Sequence, residues 1–388
     1  MSKSLLVWDR SENNVEFSGA VILWNTFNKT DAVFSLPRYL ELNADKLRAK
    51  YLKFIAEFGD KKIQGQTVLE HLDLGSGFSY WWMTTLVEKS PFRSEHLYQC
   101  LLVLALEEFI IEQGPNRLVY AGDDANVAET IKGICENLRI SFYWDLSTHN
   151  QKQKQLPLKK AINYMTSMVN ILKGALGFLI MTVKACGFSK PIWSGPPNSA
   201  IIFSHFCHLN NEECAKGRFY SYQWGVLPSL LTKMGWSINW LHHYIKAEDM
   251  NVSKCLEWLG LANKNLDNLG NHSLIYSYLN LSVGLKAIIN WWLLRRNVRR
   301  LGDMSSLFKV QDSATNLWPL LKSDWLRSTS GSLAGLNCLL AAVFDRALRE
   351  IPNQRIGFYL HENQPWEVAM LGAWRKNGHG RIVSVQHA

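Results

Sequence analysis

The chain has 388 residues, 47% hydrophobic and 19% charged, with seven cysteines. Such a composition excludes a disordered chain, a collagen-like repeat and a small disulfide-stapled scaffold, and the length gives a prior of two to three domains. Forty-two Lys and Arg against 33 Asp and Glu leave a net charge of +9, a balance that suits nucleic acid, anionic lipid or a phosphorylated small molecule.

Residues 4–8 form an apolar run that reads as a first strand ending at Asp9, and residues 20–24 read as another. A helix is expected over 40–58. Residues 118–121 are an apolar strand ending in Gly122, Asp123 and Asp124; a helix over 127–138 and a strand over 140–144 follow. This is a βαβ unit, and its Gly-Asp-Asp loop lies at the strand's carboxyl end, where ligands bind in such sheets.

Residues 151–195 read as a basic amphipathic insertion. Lys152, Lys154, Lys159 and Lys160 lead into a stretch where Ile162, Met165, Val169, Leu172, Leu176, Leu179 and Val183 recur at alternating spacings of three and four. That is one helix face, with Lys173 and Lys184 off it. A core-packing helix and a helix lying on an anionic membrane both fit.

After a break at Gly195, Pro196 and Pro197, a strand is expected over 200–206. Residues 220–225 and 236–244 are aromatic-rich, and 245–281 reads as helical. Trp291 and Trp292 followed by Arg295, Arg296, Arg299 and Arg300 make a second interfacial pattern. A helix over 333–350 precedes a strand over 355–360. That strand runs into His361, Glu362, Asn363, Gln364, Pro365, Trp366 and Glu367. Pro365 suits the first turn of a helix reaching Lys376, and a last strand is expected over 381–385. The alternation predicts an α/β fold with a mostly parallel sheet.

No run of about 20 uncharged apolar residues occurs, so no transmembrane helix is expected. Residues 1–10 hold no signal-peptide core, and the odd cysteine count without a CxxC pattern fits reduced thiols in a cytosolic protein. No nucleic-acid-binding motif accompanies the basic groups. Sixteen tryptophans suit either sugar-stacking or membrane-interface surfaces, or an aromatic-rich core.

Three constellations could carry chemistry. Leu72-Asp73-Leu74-Gly75-Ser76-Gly77 resembles the glycine-rich loop of S-adenosylmethionine methyltransferases, where glycines let the backbone approach the cofactor. Ser79 stands where a third glycine is usual, and Phe78 to Trp82 is bulky. His205, Cys207, His208 and Cys214 have the ligand chemistry of zinc without a second pair to complete a site. At the carboxyl-terminal corner, Glu362 and Glu367 flank Gln364-Pro365-Trp366. Glu362 would point out of the sheet edge as a general base or acceptor-hydroxyl ligand, and the last strand would deliver His387 to the same edge. The alternative is that both carboxylates cap the helix. No P-loop, HExxH, GxSxG or Asp-x-Asp motif occurs, which argues against kinases and metal-dependent GT-A transferases.

The tract Tyr359 to Glu367 with Val385-Gln386-His387 resembles a family of bacterial surface-carbohydrate biosynthesis proteins. Ser79-Tyr80-Trp81-Trp82 with Glu88-Lys89-Ser90, and Tyr222-Gln223-Trp224-Gly225, are similar to it too. The resemblance implies a GT-B-like glycosyltransferase related to those that move Kdo or sialic-acid-type sugars, built from two facing Rossmann-like domains. On that basis residues 1–150 are the Rossmann-like part and 151–195 the basic insertion. Residues 196–388 continue the same domain, with a helical segment over 245–305. The chain is then the N-terminal half of the architecture, and the donor-binding domain lies outside it.

The same resemblance implies catalytic roles for Glu362, Glu367, His387, Asp123 and Asp124. Ser79, Tyr80, Trp81, Trp82, Glu88, His361, Gln364 and Gln386 would bind substrate. No metal or resident cofactor is implied. The donor would be a nucleotide sugar, CMP-linked among the candidates, and the acceptor a saccharide or lipid-linked saccharide. An anionic membrane surface is the expected partner and nucleic acid is not. The expected location is cytoplasmic, peripheral on the inner membrane. Two other readings stay open: an S-adenosylmethionine-dependent methyltransferase, and a non-catalytic membrane-associated assembly module.

Overall fold

The structure is a computed structural model that describes residues 4–10, 17–28, 33–75, 77–94, 96–146, 183, 188–244, 250–265 and 267–386. The expected insertion over 151–195 lies largely outside these residues, as does His387. The strands are β1 (Ser4–Trp8), β2 (Ala20–Leu23), β3 (Phe34–Ser35), β4 (Lys62–Ile63), β5 (Gln66–Thr67), β6 (Arg117–Ala121), β7 (Ser141–Asp145), β8 (Ser199–His205), β9 (Ser237–His243), β10 (Asn271–Leu274), β11 (Ile356–His361) and β12 (Arg381–Gln386). The helices begin with α1 (Leu36–Leu42), α2 (Ala44–Phe58), α3 (Val68–His71), α4 (Thr85–Glu88), α5 (Leu97–Gln113) and α6 (Ala125–Leu138). They continue with α7 (Asn211–Ala215), α8 (Leu227–Lys233), α9 (Val252–Lys264), α10 (Leu281–Leu301), α11 (Trp318–Ser330), α12 (Ser332–Glu350) and α13 (Pro365–Lys376).

The chain divides into two units, Met1–Met165 with Leu294–Gly331, and Thr166–Leu293 with Ser332–Ala388. Each has its own five-stranded sheet. The first runs β3-β2-β1-β6-β7 and the second β10-β9-β8-β11-β12, all neighbours parallel. Within each unit the order is third, second, first, fourth, fifth, the Rossmann-like winding in which the strand order reverses beside the first strand. The architecture is α/β and Rossmann-like in both units.

Parallel sheets covered on both faces need strands that are apolar throughout rather than alternating. Leu5, Leu6 and Val7 of β1, Leu118 to Ala121 of β6 and all seven residues of β8 are accordingly buried. In the first unit α5 is apolar almost all round, with Leu102 to Leu106 buried in one run, which is what a helix enclosed by its neighbours requires. In the second unit Ala200, Ile202, Trp224, Ile238, Trp240, Phe358 and Leu360 form the core on one face of the sheet. On its other face Trp374 of α13 lies where a Cβ on Gly357 would stand 2.9 Å from the ring, so that close helix-to-strand approach depends on the glycine.

Three expectations change. Residues 196–388 were expected to continue the first domain. Instead, among the described residues, β8 to β12 pair with one another as strands and form a second sheet inside the chain. The single helix expected over 40–58 is two, because Asn43 ends α1 and opens α2. The helical reading of 245–281 contains β10 and a 3-10 turn, Ile275–Tyr278. Asn271-His272-Ser273-Leu274 has little intrinsic strand character, and parallel pairing to β9 supplies it.

Candidate functional site

In a doubly wound sheet the crevice opens where the strand order reverses, at the carboxyl ends of two adjacent strands. In the second unit these are β8 and β11, and their last residues are His205 and His361. His205 is the final residue of a fully buried strand, and its side chain is only 5% exposed. Its Nε2 lies 3.7 Å from Oε2 of Glu362, the residue after β11. That is within ion-pair reach and too long for a hydrogen bond. Glu362 is 29% exposed, so it connects the buried imidazole to solvent.

Neither ring nitrogen of His205 has a hydrogen-bond partner, and neither does the indole nitrogen of Trp366. The two rings meet edge to face, 5.1 Å between centroids. Buried polar atoms are paired in the great majority of cases, and here three without a partner lie close together beside one switch point. Burial lowers the pKa of His205, against the opposing charge of Glu362. The imidazole is therefore neutral at pH 7 and able to accept a proton or a hydrogen bond. Beside it His243, at the end of β9, is pushed down to about 3 by burial and then by His205. Its Nε2 is 3.1 Å from the Tyr276 hydroxyl. Burial raises the Cys207 thiol to about 11, with Glu362 adding to the shift; it is a protonated thiol at neutral pH.

Glu367 does something different from Glu362. It is the third residue of α13, and its side chain is 2% exposed. Oε1 accepts the backbone N–H groups of Glu362 at 3.0 Å and Gln364 at 2.9 Å. Oε2 accepts the backbone N–H of Asn363 at 3.2 Å and lies 3.0 Å from Nδ1 of His361. One buried carboxylate thus closes the whole turn from His361 to Gln364, in which Asn363 takes a left-handed φ of 59°. Burial raises its pKa while these donors pull it back. Gln364 donates from Nε2 to Oε2 of Glu362 at 2.6 Å, holding that side chain over the edge. The capping alternative therefore describes Glu367, a positioning residue, and leaves Glu362 as the carboxylate facing outward. Gln386 ends β12 in register with His361 and is exposed.

The first sheet has its own reversal, between β1 and β6. Asp9 follows β1 and accepts from the Tyr120 hydroxyl at 2.9 Å and from Asn25 Nδ2 at 2.8 Å. Its pKa is raised, by burial first, with the charges of Asp124 and Asp123 adding to it. Asp124 is the N-cap of α6, accepting from the backbone of Asn126 at 2.8 Å and Val127 at 3.2 Å. Its role is accounted for by the helix. Asp123 is exposed beside it. Asp9 is the acid at this edge that the chain-order reading treated only as a strand terminus.

The aromatic stretch expected to stack on sugars is mostly core. Trp81 is fully buried and stacks on Phe58 at 5.0 Å between centroids and 12° between planes. Tyr80 is buried with its hydroxyl donating to the Ser328 carbonyl at 2.7 Å. Ser79 caps the 3-10 turn Tyr80–Met83, and only Trp82 is exposed. Glu88 is buried and pairs with Arg93 Nε at 3.2 Å. The physical reason is that the segment packs on α2, whose inward face is Tyr51, Phe54, Ile55 and Phe58. Trp224 of the other aromatic tract is likewise core, its Nε1 donating to Ser204 Oγ at 3.0 Å.

The glycine loop at 72–77 follows the short helix α3 rather than a strand, so it lacks the strand-to-helix setting in which such loops bind a cofactor. Among the described residues no group of three or more His, Cys, Asp or Glu could hold a metal ion. A shallow cavity of about 680 Å³ is lined by Asn211, Glu212, Asn251, Lys254, Glu257 and Trp258, at the first turns of α7 and α9. No protein-family profile, curated protein or solved structure matches the chain.

Proposed function

We propose that the chain is a glycosyltransferase of surface-polysaccharide synthesis, moving a sugar from a nucleotide donor to a saccharide or lipid-linked saccharide acceptor. The observation that carries the reading is the Glu362–His205 pair at the reversal point of the second sheet. Two Rossmann-like sheets within one chain support it, since each supplies one edge at which a substrate can bind. The glycan acceptor and the surface-polysaccharide context rest on the resemblance of residues 359–367.

In this reading Glu362 accepts the proton of the acceptor hydroxyl. The freed oxygen forms its bond to the anomeric carbon, and the bond from that carbon to the phosphate oxygen breaks with its electron pair on phosphate. His205 lies behind Glu362 as a neutral imidazole, able to take up the proton that the carboxylate collects. Glu367 fixes the backbone that presents Glu362.

The test has two stages. Thermal shift against CMP-, UDP- and GDP-linked sugars identifies the donor, because a ligand at a hundred times its dissociation constant stabilises by about 2.7 kcal/mol. Nucleotide release is then measured with and without saccharide acceptor for the wild type and Glu362→Gln. Loss of roughly 100-fold or more in kcat is expected, the scale of a missing general base. Stabilisation by no nucleotide, or full activity in the variant, rejects the reading.

A further inference from the structure

In the second unit the outward side of α8 carries an apolar row that the fold does not use. Val226, Leu230 and Met234 are 68, 49 and 71% exposed. Val226 precedes the helix with helical backbone angles and Met234 caps its end, so spacings of four bring the three side chains onto successive turns of one face. Tyr220 and Tyr222, in the segment that leads into the helix, are 41 and 62% exposed, and their rings meet edge to face at 5.4 Å between centroids. The core contact of α8 is made from its other side: Leu231, with Leu227 against it, belongs to the cluster of Ala200, Ile238 and Trp240. The helix is therefore already anchored, and the outer row is surplus to that anchorage. Scattered exposed apolar residues are ordinary, whereas this many within residues 220–234 mark an interaction surface.

Charge and shape select the occupant. From Phe219 to Ala247 the sequence contains no Asp or Glu, and Lys233, exposed beside Met234, is the one charged residue of α8. A second copy of the helix would bring another lysine and no acid to receive either. The row also stands on the convex side of a helix, which offers a peptide no groove to fill. A bilayer surface matches each part: acyl chains for the valine, leucine and methionine, the headgroup level for the tyrosine rings and hydroxyls, and a lipid phosphate for the ammonium. We propose that this face of α8 docks on a membrane surface containing anionic phospholipid. The inference does not depend on what the edge of the second sheet catalyses.

Sedimentation of the full chain with phosphatidylcholine vesicles, with and without about 30% phosphatidylglycerol, tests it at about 0.1 M salt. Binding is expected with the anionic vesicles, and weaker binding without phosphatidylglycerol. On the anionic vesicles Leu230→Asp with Met234→Asp should lower the partition coefficient roughly tenfold or more, and Lys233→Gln about fivefold. These side chains are exposed, so the melting temperature should hold. Should a variant melt early, hydrogen exchange of the wild type decides: anionic vesicles must slow exchange over 220–236. The proposal is overturned if the wild type stays free at about 1 mM anionic lipid, or if either intact variant binds like the wild type. Protection that falls only on other segments also overturns it, as does a dimer that Leu230→Asp dissolves without any vesicle binding.

Discussion

Nε2 of His205 stands 3.7 Å from Oε2 of Glu362, joining two strand ends that are 157 residues apart in the chain (362 − 205). One partner is buried and held below its ordinary pKa, and the other reaches solvent. In the proposed mechanism the buried base stands behind the outward carboxylate and takes up the proton it collects.

His205→Asn should therefore lower kcat by about 100-fold while leaving donor binding unchanged, on the scale of a general-base contribution. The pH profile separates this from a packing defect. Burial keeps His205 neutral below the ordinary 6.5, so the wild type should hold its rate down through pH 6.5 and lose it at a lower pH. The variant should lack that acid limb. An unchanged profile in His205→Asn would remove the histidine from the mechanism.

Glu367 and Glu362 should part company when stability and activity are measured separately. Glu367→Ala leaves the N–H groups of Glu362, Asn363 and Gln364 without their acceptor, which should cost about 3 kcal/mol in urea unfolding. Transfer should fall as well, through misplacement of Glu362. Glu362→Gln should cost under about 0.5 kcal/mol, as a partly exposed substitution does. Equal destabilisation by the two would contradict the division of roles.

Trp81→Ala and Trp82→Ala separate core from ligand platform. Trp81 is fully buried against Phe58, and its loss should cost about 3–5 kcal/mol. Trp82 is 43% exposed, and its loss should cost under about 1 kcal/mol. A large change in saccharide affinity from Trp81→Ala, at unchanged stability, would restore the stacking role.

The second unit should be acid-sensitive in a particular window. His242 and His272 stack with 4° between planes, fully buried. Asn268 Nδ2 donates to His272 Nε2 at 2.9 Å, so the His272 proton sits on Nδ1 and is given to His242 Nε2 at 3.0 Å. Burial pushes His242 and His243 to about 3 and His272 well down. A folded pKa below the unfolded value means the unfolded chain binds more protons. Stability is then whole above about pH 7 and falls as pH drops below 6.5, by up to about 1.4 kcal/mol per pH unit for each histidine. Asp345, held at about 2 by Lys286 and Lys376 against its burial, acts only below pH 4. Urea unfolding from pH 7.5 to 5.5 measures the slope, and a flat curve would show that these rings are not buried neutral.

Much of the local structure of this edge was legible in the chain. The loop from His361 to Glu367 reads as a strand-to-helix corner from its proline and carboxylates, and the structure has β11, the corner and α13 there. Which of the two glutamates faces outward was not legible. Both fit a capping pattern, and only the four contacts made by Glu367 distinguish them. Asp9 was visible as a strand terminus and His205 lay within the strand expected over 200–206, but a strand end gains meaning only from its neighbour, and neighbours in a parallel sheet are far apart in sequence. Trp81 was misread because a tryptophan's type does not tell core from platform; the aromatic face of α2 decides it.

By itself, then, the sequence determined the local alphabet of this protein. Uninterrupted apolar runs specify buried parallel strands, Pro365 specifies the first turn of a helix, and the absence of acids specifies the charge of α10. Those signals act over a few residues through backbone geometry and burial. Tertiary structure alone decided that β8 begins a second sheet, that His205 meets Glu362, and that Leu285 and Ile288 face outward while Val283 and Ala287 face the core. The reason is that strand order and helix facing are set by which surfaces find each other, and identical local patterns are compatible with more than one such pairing.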